Sequence, residues 1–409
     1  MKKLLIVSRS TVFQNKSGGL ETQLEGLINY LKKSFDITVL TTALPFKNTP
    51  AKIDQVRVEN SVKYIYLKDT IPGGYGYSLF ESLLWQLPVK RNKNALNTNF
   101  KKRSADYFFK KLKGRFNLII SQSSSAQNFN ITDEDLIAIN HGTTLNEIKS
   151  RYKSINSFKD FLRFIGLNIP TLLYEYFINN PRFFKKCSKI VLISNSVKKD
   201  FCLQHKRFCS KTCVIDNGIN TLNFCPDKSK YIAKVFKVFY VGRIDFEKGL
   251  KDFVLVAEHL KNTKDIKFNI YGNGPDSKYL RDLIDTKDLP NIKYHGAVSN
   301  DKISKIMNTS HVFLFLTKRK EGLPMSVIES MSSGCVVISG WNNQYKNFYE
   351  GFNSVDSAAK EILRLYNDRK SYKLLSNKFR QKAEENYSIE ISGNKYLKLI
   401  SALENKEIK

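Results

Sequence analysis

The 409-residue chain is short of several things, and each shortage excludes a class of protein. Six cysteines are too few and too scattered for a disulfide scaffold. Ten prolines and twenty glycines are too few for a low-complexity or fibrous chain. No run approaches the roughly 18 apolar residues of a membrane-spanning helix. The apolar start Leu4-Leu5-Ile6-Val7 stops at Ser8-Arg9, too soon for the core of a signal peptide. The expected location is therefore cytoplasmic, peripheral on the inner face of the cytoplasmic membrane. Acidic residues are the sharpest deficit: 38 Asp and Glu face 67 Lys and Arg, a net charge of +29. Such a field selects anionic partners, whether nucleic acid, phospholipid headgroups or phosphorylated small molecules.

What is present is the composition of a folded protein, 42% hydrophobic and 26% charged, long enough for two or three domains. Cys202, Cys209, Cys213 and Cys225 cluster near His205, but spacings of 7, 4 and 12 lack the paired knuckles of structural zinc sites. They read as packing residues or free thiols.

The first forty residues alternate in a recognisable order. A buried-type strand, Lys3–Ser8, precedes a polar loop ending in Gly18-Gly19. Leu20, Leu24, Leu27, Ile28 and Leu31 then recur at helical spacing, and Phe35–Leu40 is a second strand. Glycines at the entrance of the helix make this a Rossmann-like half. Further strands are expected at 62–67, 118–121, 136–140 and 190–194. From 238 onward strands and helices alternate, with strands at 238–242, 268–271, 292–296, 312–316 and 336–339. That pattern predicts a parallel sheet covered on both faces, with ligands beyond the carboxyl ends of its strands.

Two basic segments interrupt the first half. Ten Lys or Arg and one acid lie between Lys90 and Arg115, interleaved with Phe100, Tyr107, Phe108, Phe109, Leu112 and Phe116. The second runs from Lys149 to Lys186 and includes Phe158, Phe161, Leu162, Phe164 and Ile165. Basic and apolar residues mixed on a helix suit an anionic membrane surface, and equally a helix packed on a domain with a wet back.

The strand ends of the second half are rich in anion-handling groups. Gly242 permits a sharp turn, and Arg243 and Lys248 follow on one loop, a fork and a point charge suited to a diphosphate. In Glu321-Gly322-Leu323-Pro324-Met325-Ser326-Val327-Ile328-Glu329, Pro324 suits a first helical turn, and the amides near Met325 and Ser326 are candidates to hold phosphate oxygens. Glu321 and Glu329 can accept hydrogen bonds from sugar or ribose hydroxyls.

The Glu-x7-Glu element, the Gly-Arg…Lys-Gly loop, the Gly272-Asn273-Gly274-Pro275 turn, Asn217-Gly218-Ile219 and the Gly18-Gly19 entrance occur in one order that resembles the retaining glycosyltransferases of family 4. The resemblance implies an α/β chain of GT-B type, two Rossmann-like domains facing each other across a cleft. The domains expected are 1–220 on the acceptor side, 221–385 for the donor, and a C-terminal helix, 386–409, returning to the first. It further implies catalytic roles for Arg243, Lys248, Glu321 and His141, the last at the end of a strand and in contact with the transferred sugar. Donor contacts fall to Gly18, Gly19, Gly242, Gly272, Gly274, Pro275, Val298, Asn300, Met325, Ser326 and Glu329. No cofactor and no metal are expected: the Arg-Lys pair stands where other transferases hold a divalent ion.

The expected activity moves a sugar from a nucleoside-diphosphate sugar to a glycan or lipid-linked acceptor in bacterial surface-polysaccharide synthesis. A catalytically silent relative that binds a sugar nucleotide or a partner is the alternative. Nucleic acid is not an expected partner, since no finger, RNP-like or helix-turn-helix pattern accompanies the charge. The stretch after Gly340 is shorter than the family pattern, which leaves the edge of the donor domain open.

Overall fold

A computed structural model describes residues 1–14, 18–44, 53–68, 70, 100–153, 158–340 and 354–405. The start of the first basic segment, before Phe100, and most of the shortened stretch after Gly340 lie outside the described residues. The chain divides into two compact units, Met1–Asp216 with Ser392–Lys409, and Asn217–Ile391.

In the first unit the described strands are β1 (Lys2–Val7), β2 (Phe35–Thr42), β3 (Gln55–Glu59), β4 (Val62–Leu67), β5 (Leu118–Gln122), β6 (Asp135–Asn140), β7 (Lys189–Leu192) and β8 (Thr212–Val214). They form one sheet in the order β3-β4-β2-β1-β5-β6-β7-β8. All pairs are parallel except β3–β4. Leu4 to Val7 are wholly buried, as a strand covered on both faces requires. The sequence reading missed β3. Its hairpin turns on Asn60 and Ser61, both at positive φ, without the glycine that would have announced it.

The helix Gly19–Leu31 buries Leu24, Leu27, Ile28 and Leu31. Gly393 fits against it because its lack of a side chain admits the Tyr30 ring: a Cβ there would lie 2.1 Å from Tyr30 Cδ1. Tyr30 Oη also donates to Asn394 Oδ1 at 2.8 Å, and Lys2 pairs with Glu404 at 2.8 Å. These contacts tie the C-terminal residues to the first unit.

Cys202 and Cys209 form a disulfide with their Cα atoms 5.1 Å apart, which corrects the expectation of free thiols for that pair. A helix end at Gln204 followed by the 3-10 turn Lys206–Lys211 folds the seven-residue interval back on itself. Cys213 and Cys225 remain thiols.

The second unit has five described strands, β9 (Phe236–Val241), β10 (Ile266–Tyr271), β11 (Ile292–Tyr294), β12 (Val312–Phe315) and β13 (Val336–Ser339). Their order is β11-β10-β9-β12-β13, and every pair is parallel. The order reverses between β9 and β12, so the crevice at their carboxyl ends is the topological switch point where ligands of such sheets bind. The helix Leu250–His259 buries Leu250, Phe253, Val254, Val256 and Ala257 beneath the sheet. Full burial of each large apolar side chain is worth roughly 1.5–3 kcal/mol, which makes the sheet a rigid base for the loops above it.

Candidate active site

The loop after β9 carries Gly242, Arg243 and Lys248, and the loop after β12 carries Glu321. They face each other at the switch point, and Lys248 Nζ forms an ion pair with Glu321 Oε1. Both side chains are largely shielded, at 17% and 18% exposure, so their charges act in a medium less screened than bulk water.

Backbone contacts hold the two loops in register. Lys318 N donates to Glu247 O at 2.7 Å, and Arg319 approaches Glu247 Oε2 at 3.5 Å. Gly249, at φ +75°, is the left-handed residue that starts the next helix, and a Cβ on it would lie 1.9 Å from Leu316 O. Only glycine lets the Lys248 loop sit down on β12.

The loops after β10 and β11 join the same rim. Gly242 N donates to Tyr271 O at 3.1 Å, and Gly272 N donates to Gly296 O at 2.7 Å. Gly272 adopts φ +140°, and a Cβ there would fall 1.8 Å from Gly242 O. Gly242, Gly272 and Gly274 are thus brought together, with the exposed Pro275 beside them. Val298 and Asn300 follow β11 at the start of the helix Asn300–Asn308, on the neighbouring part of the rim.

Arg243 is exposed, unlike Lys248. Its backbone oxygen accepts from Tyr240 Oη at 2.9 Å, and its charge favours ionisation of Asp276, although desolvation dominates and raises the Asp276 pKa. Asp276 Oδ2 in turn accepts from Phe246 N at 2.7 Å, which anchors the middle of the loop.

Pro324 is not inside the first helical turn, as expected from sequence. It is the N-cap of Met325–Ser332, with φ −63° and ψ 135°. Its ring fixes φ without requiring a helical ψ, and its carbonyl accepts from Val327 N at 3.1 Å. The early amides, those of Met325 and Ser326, precede the first donors of the helical ladder. Asn217 supports this turn by donating from Nδ2 to Leu323 O at 2.9 Å. Its Oδ1 is buried with no hydrogen-bond partner among the described residues.

Glu329 lies on the same helix and is 8% exposed. Burial pushes its carboxyl up to about 7. A neutral-to-charged carboxyl at that position gains most from hydroxyl donors, which favour its ionised form.

In the first unit, His141 follows β6, and Gly18 and Gly19 start the helix after β1. Because β1, β5 and β6 run parallel, all three sites lie at the carboxyl edge of that sheet. His141 Nε2 is 2.8 Å from Gln122 Oε1, and Gln122 Nε2 donates to Gln23 Oε1 at 2.8 Å. Gln122 therefore offers an acceptor to the imidazole, which holds the proton on Nε2 and leaves Nδ1 the acceptor nitrogen. Desolvation lowers the His141 pKa to about 4, so the ring is neutral near pH 7. Gln122 and Gln23 were not singled out in the sequence. A glutamine at a strand end carries no pattern signal, and only the pairing of β5 with β6 brings it to the histidine.

Among the described residues no group of three or more His, Cys, Asp or Glu is placed to hold a metal ion. The chain's Asp-x-Asp, Asp133-Glu134-Asp135, enters β6 at its amino end, opposite the edge that carries His141.

Residues 226–386 match the family of glycosyl transferases group 1. An uncharacterized glycosyltransferase of Methanocaldococcus jannaschii is 22% identical over 99% of this chain and 100% of its own length. The enzyme is a glycosyltransferase. The 2-deoxystreptamine N-acetyl-D-glucosaminyltransferase of Niallia circulans is 29% identical over 31% of this chain and 34% of its own. The transferase shares its fold with the sucrose-phosphate synthase of Thermosynechococcus elongatus, at a TM-score of 0.74 and 16% identity, covering 99% and 100% of the two chains. Anabaena HepE, solved with UDP and glucose, aligns at 0.68 and 14% identity, covering 98% and 100%. The fold is GT-B, with a Rossmann-like sheet in each unit.

Proposed function

We propose that this glycosyltransferase moves a sugar from a nucleoside-diphosphate sugar to a glycan acceptor with retention of configuration. The acceptor in this reading is a lipid-linked oligosaccharide of bacterial surface-polysaccharide synthesis, such as O-antigen, capsule or lipopolysaccharide, met at the inner face of the membrane. The observation that carries the donor side is the shielded Lys248–Glu321 pair at the switch point of the second sheet. The UDP and glucose in the HepE structure agree with it.

As the bond from C1 of the sugar to the β-phosphate oxygen breaks, its electron pair leaves with the diphosphate. Lys248, Arg243 and the amides of Met325 and Ser326 stabilise that growing charge, and they are set before the reaction begins. The acceptor oxygen bonds C1 on the face the diphosphate leaves, and its proton passes to a leaving-phosphate oxygen. Glu321 steers Lys248 and accepts from a hydroxyl of the sugar, while Glu329 accepts from the ribose. Gly18 and Gly19 admit the donor phosphates closely, Gly272 to Pro275 with Val298 and Asn300 border the nucleobase, and neutral His141 contacts a hydroxyl of the transferred sugar. No metal takes part in this scheme.

A thermal-shift screen over nucleotide-sugars identifies the donor, because a ligand of the native state alone raises the melting temperature. Transfer assays on Lys248→Ala and Glu321→Ala with that donor then test the site. Turnover at the wild-type rate in both variants overturns the assignment.

A further inference from the structure

The helical run 158–186 in the first unit has two apolar faces, and folding uses one of them. The inner face buries Phe164, Leu172, Phe183 and Phe184, and Phe184 packs edge-on against Phe201 and Phe208. The outer face places Phe158, Phe161, Leu162, Ile165, Leu173 and Phe177 in solvent. Phe158 is 75% exposed and Phe177 67%. Positions 158, 161, 162 and 165 share the spacing of one helical stripe, so the exposed residues form a face rather than scattered single contacts.

Two stretches of π-helix, Phe164–Asn168 and Glu175–Asn179, interrupt the run. Each inserts extra residues per turn and rotates the next helical turn, which lets one run serve two faces. Beside the stripe, the helix Thr144–Lys153 and the run border an open, apolar-lined cavity of about 370 Å³. Ile148, Tyr152, Phe161, Phe164, Ile165 and Ile169 line it, and Lys149 stands with them as the cation of the lining.

We infer that this face docks the enzyme on an anionic lipid bilayer, the stripe entering the headgroup boundary and the cavity receiving one hydrocarbon chain. Charge selects this occupant. Residues 144–186 contain eight Lys or Arg against three Asp or Glu, and Lys149, Arg182 and Lys185 are exposed. A second protein copy would bring the same excess of positive charge to the contact and be repelled, whereas phosphate-bearing headgroups neutralise it. The cavity has the size of a small-molecule site, but among the described residues its lining offers a charged ligand only Lys149. No described helix is long and apolar enough to cross the bilayer, so attachment by this face is peripheral. The inference extends the lipid-linked acceptor reading and does not depend on the donor chemistry.

The test is flotation of the full chain with phosphatidylglycerol-containing vesicles and with phosphatidylcholine vesicles. Flotation is expected with the anionic vesicles only, weakening as salt is raised. The double variant Phe158→Ser/Phe177→Ser is expected to bind about tenfold more weakly or worse. Ile165→Glu, which sets a carboxylate at the cavity, is expected to do the same. Both substitute exposed positions, and an unchanged melting temperature shows that they fold.

Failure of the wild type to float, equal flotation of wild type and variants, or a concentration-dependent dimer that the double variant abolishes would each overturn the docking. A thermal shift with nucleotide-sugar is read on the same samples. Flotation without donor binding sinks the proposed function alone, and donor binding without flotation sinks the docking alone.

Discussion

The carboxyl rims of the two sheets handle charge in opposite ways. The rim of the second unit holds an ion pair between Lys248 and Glu321 and a buried carboxyl at Glu329, with loops pressed together at Gly249 and Gly272. At the end of β6 in the first unit the described group is neutral: His141 is uncharged and bonded through Gln122 to Gln23. The glycine beside the histidine, Gly142, has nothing within 4 Å of a would-be side chain. The difference matches the proposed division of labour, in which the Lys248 rim stabilises charge and His141 meets a hydroxyl. A departing diphosphate needs cations fixed in place, whereas a sugar hydroxyl needs only a neutral partner with a defined lone pair.

The largest break in this contrast comes from Lys248→Ala, expected to lower turnover by about 10²–10³-fold, the effect of removing one preorganised charge-stabilising group. Steady-state transfer assays measure it, and a loss under threefold would mean that the charged rim is not catalytic. Next is the pair Gly272→Ala and Gly142→Ala. The first forces a Cβ toward Gly242 O at an unfavourable φ and is expected to cost about 1–3 kcal/mol in denaturant unfolding. The second should stay within about 0.5 kcal/mol. Equal costs would erase the distinction between a packed rim and an open one.

Gln122→Glu sharpens the comparison by placing a charge beside the neutral His141. A carboxylate on His141 Nε2 favours the imidazolium and is expected to raise its pKa from about 4 by 1 unit or more, read by NMR titration. An unchanged titration would show that Gln122 does not contact the ring in solution.

The smallest effect concerns Glu329. Its folded pKa, about 7, exceeds the usual 4.5, so its contribution to stability is full below about 4.5 and is lost as pH rises through 7. Glu329→Gln should therefore flatten that slope and melt higher than the wild type at pH 8. Donor affinity in the wild type should rise a few-fold between pH 6 and 8, because ribose hydroxyls bind the ionised carboxylate. The glutamine variant should show weaker, pH-independent binding by calorimetry.

Two segments of nearly the same composition show where sequence stops being legible. Phe100, Phe108, Leu112 and Phe116 are interleaved with cations just as Phe158 and Leu162 are. Yet Phe108 is 1% exposed and stacks on Phe129 at 4.5 Å, so the described part of that segment packs into the domain, with Phe109 left outside. Of the two readings open to such a segment, the described part of the first takes the packed one. Nothing local distinguishes them, because both carry apolar residues at helical spacing among cations. Which face is covered depends on residues far away in sequence, here Phe129 for one and Phe201 and Phe208 for the other.

The second unit was easier to read for a physical reason. Strands buried on both faces are continuous apolar runs, so Val238–Val241 and Val312–Phe315 announce themselves, and glycines and charges after them mark the rim. The edge strands β3 and β8 were missed because Val56 and Val58 are exposed and Thr212–Val214 spans only three residues.

By its sequence alone this protein determined an alternating α/β chain, a parallel donor-type sheet, and the residue types at the ends of its strands, since periodicity and glycine placement are local properties. Tertiary structure alone decided that Lys248 meets Glu321, that Gln122 orients His141, that Glu329 titrates near neutrality and that one basic helix keeps its aromatics in water. Each of those outcomes is a contact or a desolvation set by residues tens of positions apart, and no local pattern encodes that pairing.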